Sequence, residues 1–69
     1  MTQDDLDNRF TYHKPKEGQP ETYQALREAA KSLAEHINAV CPECREKSLA
    51  ITELEASIFW ANAGIARHS

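Results

Sequence analysis

The chain has 69 residues, 41% of them hydrophobic and 28% charged, with a formal net charge of −3. A chain of that length makes one small domain and buries only about 60% of its unfolded surface, so disulfides, a metal or self-association commonly complete such folds. The acidic balance argues against general binding to polymeric nucleic acid, and no apolar run approaches the ~20 residues that cross a bilayer. The N-terminus (Met1-Thr-Gln-Asp-Asp-Leu) has no signal-peptide pattern, so the chain is expected to be soluble and cytoplasmic. A local basic patch meeting a small anion remains compatible with this charge.

Residues 1–8 are acidic and polar, with Asp4, Asp5 and Asp7. They read either as a frayed tail or, with Leu6, Phe10 and Tyr12, as a short docking helix. From Arg9 to Pro20 the chain is basic and aromatic, with Phe10, Tyr12, His13, Lys14 and Lys16 running into a helix start. Rings for base stacking, cations and exposed helix N–H groups are what a phosphorylated nucleotide asks for, although such loops are also common on ordinary surfaces. Pro20 suits the first position of a helix, where its missing N–H would be unpaired anyway, and Glu21 suits the positive end of the helix dipole.

From Tyr23 the apolar positions are Tyr23, Leu26, Ala30, Leu33, Ile37 and Val40, spaced alternately by three and four. That is one helical seam of about five turns. It is expected to stop before Cys41-Pro42, because Pro42 disfavours helical geometry at Cys41 and can itself open the next helix. A second seam follows at Ile51, Leu54, Ile58, Ala61 and Ile65, with Leu49, Phe59 and Trp60 lying off it. These positions read either as one broad core face or as two sides, one against the first helix and one against a second chain; the second reading is preferred, because a two-helix hairpin cannot bury both sides of a helix alone. Gly64 would let another backbone approach. The expected fold is all-α, one domain over 1–69: an arm and loop over 1–19, a helix over 20–40, and an antiparallel helix over 42–67.

Cys41-Pro42-Glu43-Cys44 could hold half a zinc site or a redox disulfide, but the chain offers no second C-x-x-C and no βαβ pattern. His36 would add a third ligand, and a symmetric dimer would pool two pairs. The preferred reading is a pair of incidental thiols, with no metal and no cofactor. No nucleophile motif or glycine-rich phosphate loop is present, so no enzymatic activity is expected. Arg27 and Lys31 share one helical face, which Glu28 and Glu35 would simply solvate on the plainer reading. Arg67 is placed to cap its own helix C-terminus. Trp60 reads as an interface anchor, and Asn62, poor for helix propensity, as a hydrogen-bonding group across a helix interface.

Several blocks together resemble a known family. They are Tyr12-His13-Lys14-Pro15, Gly18-Gln19, Cys41-Pro42, Arg45-Glu46-Lys47-Ser48-Leu49-Ala50, Leu54-Glu55, Trp60-Ala61-Asn62-Ala63 and Ile65-Ala66-Arg67. From Phe10 to Arg67 the chain resembles the phage anti-CBASS cyclic-oligonucleotide sponges, whose hairpin domain is shared with part of the anti-Thoeris sponges. The resemblance implies a protein that binds cyclic dinucleotides such as cyclic GMP–AMP, and in some members cyclic trinucleotides, without cleaving them. It implies a compact homohexamer acting in the infected bacterial cell, with dinucleotides at dimer interfaces and trinucleotides in separate pockets. By similarity, Tyr12 stacks on a base and Arg27 contacts phosphate, with Lys31, Lys14 and His13 beside them. Arg67 and Ser48 are the candidates for the trinucleotide pocket. Cys44 departs from the family pattern, where serine is more usual, which weakens the zinc reading further. The alternatives are a helical oligomerisation module binding a protein through Phe59 and Trp60, and, behind it, a zinc-linked dimer.

Overall fold

The computed structural model describes all 69 residues. It is all-helical, with α1 over Gln3–Phe10, α2 over Gln19–Val40 and α3 over Arg45–His68. α2 and α3 form the hairpin, and α1 is the N-terminal arm.

Of the two readings of the N-terminus, the short helix is the one that forms, and local chemistry explains why. The Thr2 hydroxyl accepts from the Asp5 backbone N–H at 3.1 Å, and the Thr2 N–H donates to the Asp5 carboxylate at 3.2 Å. This reciprocal capping box satisfies donors that a helix start leaves unpaired. The Thr2 backbone N–H, then the Thr2 hydroxyl, hold the Asp5 carboxyl below its ordinary value, and the charge of Arg9 adds to the effect. At the other end, His13 Nε2 lies 2.7 Å from the Asn8 carbonyl. A carbonyl only accepts, so Nε2 carries the proton. Arg67 donates to the Arg9 carbonyl at 3.4 Å, tying α1 to the end of α3. Arg67 thus caps α1 from the last turn of α3, where its charge also suits the negative end of its own helix, as expected.

α2 begins at Gln19, after Gly18 turns the chain at φ +83°. Pro20 is thus the second helical residue, one place later than the sequence suggests. The buried Gln19 amide accepts from the Lys16 backbone N–H at 2.9 Å and donates to the Ile65 carbonyl at 3.4 Å. Lys16 reaches on to the Ser69 carbonyl. The loop is thereby pinned to the last turns of α3, and every residue from Ala61 to Arg67 is half-buried.

α2 ends at Val40, where Cys41 turns extended. α3 starts at Arg45 and not at Pro42; the reversal of direction occupies residues 41–44, and Cys44, extended, stands as its N-cap. Lys47 folds back from the first turn of α3 to pair with Glu43 at 2.5 Å, leaving Lys47 only 6% exposed while it closes the turn. Cys41 and Cys44 are free thiols.

The hairpin seam consists of half-buried Tyr23, Leu26, Ala30, Ala34 and Ile37 on α2, with Ile51, Leu54, Ile58, Ala61 and Ile65 on α3. Leu33 and Val40, expected in the seam, are 49% and 63% exposed. One neighbouring helix covers only one stripe, so the wider apolar face has nothing against it. The overall shape makes the same point. The chain measures 45 × 29 × 12 Å, one helix thick. Its radius of gyration is 15.3 Å, against about 11 Å for a compact chain of this length. Its accessible surface is 5579 Å², against about 4,400 Å² for a compact monomer of this mass. No hydrophobic residue is fully buried, and Phe59 and Trp60 stand 65% and 73% exposed. A single layer has no interior.

Candidate functional site

The hairpin seam opens on one face into a groove of about 640 Å³, within the range of roughly 300–1,000 Å³ usual for small-molecule sites. Alanines make the space. Ala30 and Ala34 on α2 lie across from Ile51, Leu54 and Ile58 on α3, and together they form an apolar floor. Above it, Tyr23, Arg27 and Lys31 line one wall at intervals of four residues, so successive turns of α2 deliver them to the same side. Glu55, Phe59 and Asn62 line the α3 wall at intervals of four and three.

The charges in the groove are unneutralised. The one ion pair within 4.0 Å in the protein is Lys47–Glu43 at the turn, so neither Arg27, Lys31 nor Glu55 has a charged partner. Glu28, which the sequence places beside Arg27, accepts from the Gln24 side-chain amide at 2.8 Å instead. The Asn62 carbonyl oxygen is shielded from solvent and has no hydrogen-bond partner. Buried polar atoms are satisfied in the large majority of cases, so an orphaned acceptor in a groove wall marks unfilled bonding capacity. The groove therefore offers two cations, one carboxylate and two aromatic rings over an apolar floor. Such a set has the chemistry to meet a ligand with both charge and a flat face. No group of three or more His, Cys, Asp or Glu side chains converges in a way that holds a metal ion.

The structure brings Arg27 and Lys31 together in the groove, as their spacing implies. Tyr12, His13 and Lys14 lie on the loop between α1 and α2, outside that groove. The Tyr12 ring is 81% exposed, and His13 is engaged with α1. Arg27 lies eight residues beyond Gln19, roughly 12 Å along the helix axis. Ser48 and Arg67 sit at opposite ends of α3, separated by roughly 28 Å of helix. Within one chain they do not share a pocket. Two groove residues are not marked as such by the sequence: Tyr23 fits the seam period, and Glu55 stands within an ordinary charged helix face. The signal for the second was available in the i, i+4, i+7 placement of Glu55, Phe59 and Asn62.

The frame is a helical hairpin one layer thick, with an N-terminal arm and an open groove that carries charge. The chain belongs to the Acb2/Tad1 hairpin-domain family, the hairpin of the anti-CBASS and anti-Thoeris sponges, whose family model matches residues 2–66. No curated protein and no solved structure matches the chain.

Proposed function

We propose that this protein is a phage anti-defence sponge that binds cyclic dinucleotides, and cyclic trinucleotides at a second site, without cleaving them. Membership of the sponge family supports the class. The observation that carries the ligand chemistry is the groove in which Arg27 and Lys31, two cations against the single carboxylate of Glu55, form no ion pair within 4.0 Å. Each phosphodiester brings one negative charge, and an Arg guanidinium binds it with two parallel N–H groups where geometry allows. Bound ligand is withdrawn from the CBASS effector that it would otherwise activate.

Self-association completes the site. A cyclic dinucleotide has two bases, two phosphates and approximate two-fold symmetry, so a symmetric pair of chains supplies each ring and cation twice. In this reading copies of the chain, up to a hexamer, cover the exposed faces of the hairpin, and the free Tyr12 ring of each stacks on a base. Lys31, Lys14 and His13 are secondary contacts. A three-fold junction of chains gives Arg67 and Ser48, remote in one chain, a way to meet around a cyclic trinucleotide. The protein acts in the cytoplasm of the infected bacterium.

The exposed Phe59 and Trp60 favour one other reading, an oligomerisation module that recognises a protein partner. One pair of substitutions separates the two. Tyr12→Ala with Arg27→Ala abolishes nucleotide binding by titration calorimetry and leaves the helical fold and assembly state intact. Binding by the double variant at wild-type strength contradicts the site assignment. A wild-type protein that binds no cyclic nucleotide favours the module.

A further inference from the structure

Glu55 is the feature of the groove that phosphate binding does not explain. It is exposed on the α3 wall of the cavity that holds Arg27 and Lys31, and it pairs with neither. A carboxylate beside a bound phosphodiester repels it unless the ligand supplies donors to that carboxylate. The ligand for this groove therefore has to present an anion to one wall and hydrogen-bond donors to the other.

Phe59 lies one turn beyond Glu55 on the same wall, with its ring 65% exposed. A base stacked on that ring can turn its Watson–Crick edge along the helix toward the carboxylate one turn away. The four common bases differ in what that edge carries. Guanine presents two adjacent donors, N1–H and the N2 amine, which match the two oxygens of one carboxylate. Adenine and cytosine each place a ring-nitrogen acceptor beside their amine donor, and that acceptor faces the carboxylate unfavourably. Uracil flanks its one donor with two carbonyl oxygens.

We propose that Glu55, with Phe59 as its stacking platform, reads guanine, and that this sponge prefers guanine-bearing cyclic dinucleotides to those built from adenine alone. The inference rests on the sponge reading and adds base selection to it. Glu55 contacts the base, while Arg27 and Lys31 contact phosphate, so selectivity and overall affinity are separable by substitution.

The test is calorimetric titration of the full chain with 3′,3′-linked cyclic di-GMP and cyclic di-AMP, for wild type and Glu55→Gln. A bidentate contact discriminates between bases by about 5- to 150-fold, so wild type binds cyclic di-GMP tighter by at least that lower factor. Glu55→Gln, an exposed helical substitution that keeps shape and removes charge, brings the two affinities near parity. Cyclic di-IMP, which lacks the N2 amine, binds wild type more weakly than cyclic di-GMP and needs no variant to show it. Near-equal affinity of wild type for the guanine and adenine ligands overturns the proposal. So does a Glu55→Gln variant that tightens both ligands equally, which would mark Glu55 as a plain repulsive charge. Binding of cyclic GMP–AMP with none of these three also overturns the proposal, whereas a wild type that binds no cyclic di- or trinucleotide at all fails the sponge reading itself, an outcome distinct from binding without selectivity.

Discussion

Truncating Trp60 reports on whether the exposed layer is covered by another copy. The indole is 73% exposed in the single chain. If the chain works alone, Trp60→Ala is a surface change, and such changes usually stay within about 0.5 kcal/mol. If a second copy covers the ring, the exposed fraction is buried on assembly. A tryptophan buries about 150–250 Å², so the covered share is roughly 110–180 Å², about 3–5 kcal/mol at 25 cal/mol per Å². For a domain of this size each kcal/mol shifts the melting temperature by about 4–8 °C. The variant is therefore expected to melt at least about 12 °C lower, and to shift toward monomer by light scattering. Circular dichroism melts at two protein concentrations check both points, because an assembled fold melts higher when more concentrated. A monomeric wild type whose melting is independent of concentration, and unmoved by Trp60→Ala, refutes the reasoning.

Other consequences can be read in parallel. Arg27→Ala weakens cyclic dinucleotide binding by about 10- to 150-fold, the range for a charge-assisted hydrogen bond of about 1.5–3 kcal/mol; Arg27→Lys loses less, since it keeps charge and gives up the planar fork, as calorimetry would show. Gly18→Ala lowers stability by about 1–2 kcal/mol in denaturant titration. Its φ of +83° strains any Cβ although nothing lies within 4 Å of it. Asp5 is lowered in pKa by the α1 cap, so the stabilisation it gives is present above the unfolded-state pKa and is lost as pH falls through the folded one. Far-UV circular dichroism should therefore show α1 helicity fading in acid below the ordinary value of 3.8, with Thr2→Ala already lacking that acid-sensitive component at neutral pH.

The helices were legible because their signals are local. Alternation of three and four from Tyr23 to Ile37 and from Ile51 to Ile65 specifies two amphipathic helices without reference to anything distant. Boundaries were less so: Pro42 is chemically suited to open a helix, yet the turn consumed it, and the Lys47–Glu43 closure joins a residue inside α3 to one before it. The second contact of Arg67 is illegible for a related reason, since its acceptor on Arg9 is brought near only by the folding of the arm. Leu33 and Val40 fit the period but face outward, because periodicity says which residues share a stripe and not how much of the stripe a neighbour covers. Within the site, Arg27 and Lys31 were legible from i, i+4 spacing. The wall opposite them was not, because the facing of Glu55 and Arg27 depends on the hairpin register, which the seams alone leave free by a turn.

The central claim is reversible capture of an intact cyclic nucleotide, and one measurement addresses it directly. The purified protein is titrated calorimetrically with 3′,3′-linked cyclic GMP–AMP, the complex is digested with protease, and the released ligand is chromatographed. Saturable binding with the nucleotide recovered unchanged is the expected result. Recovery of linear or hydrolysed nucleotide, or no binding heat with any cyclic di- or trinucleotide, contradicts the account.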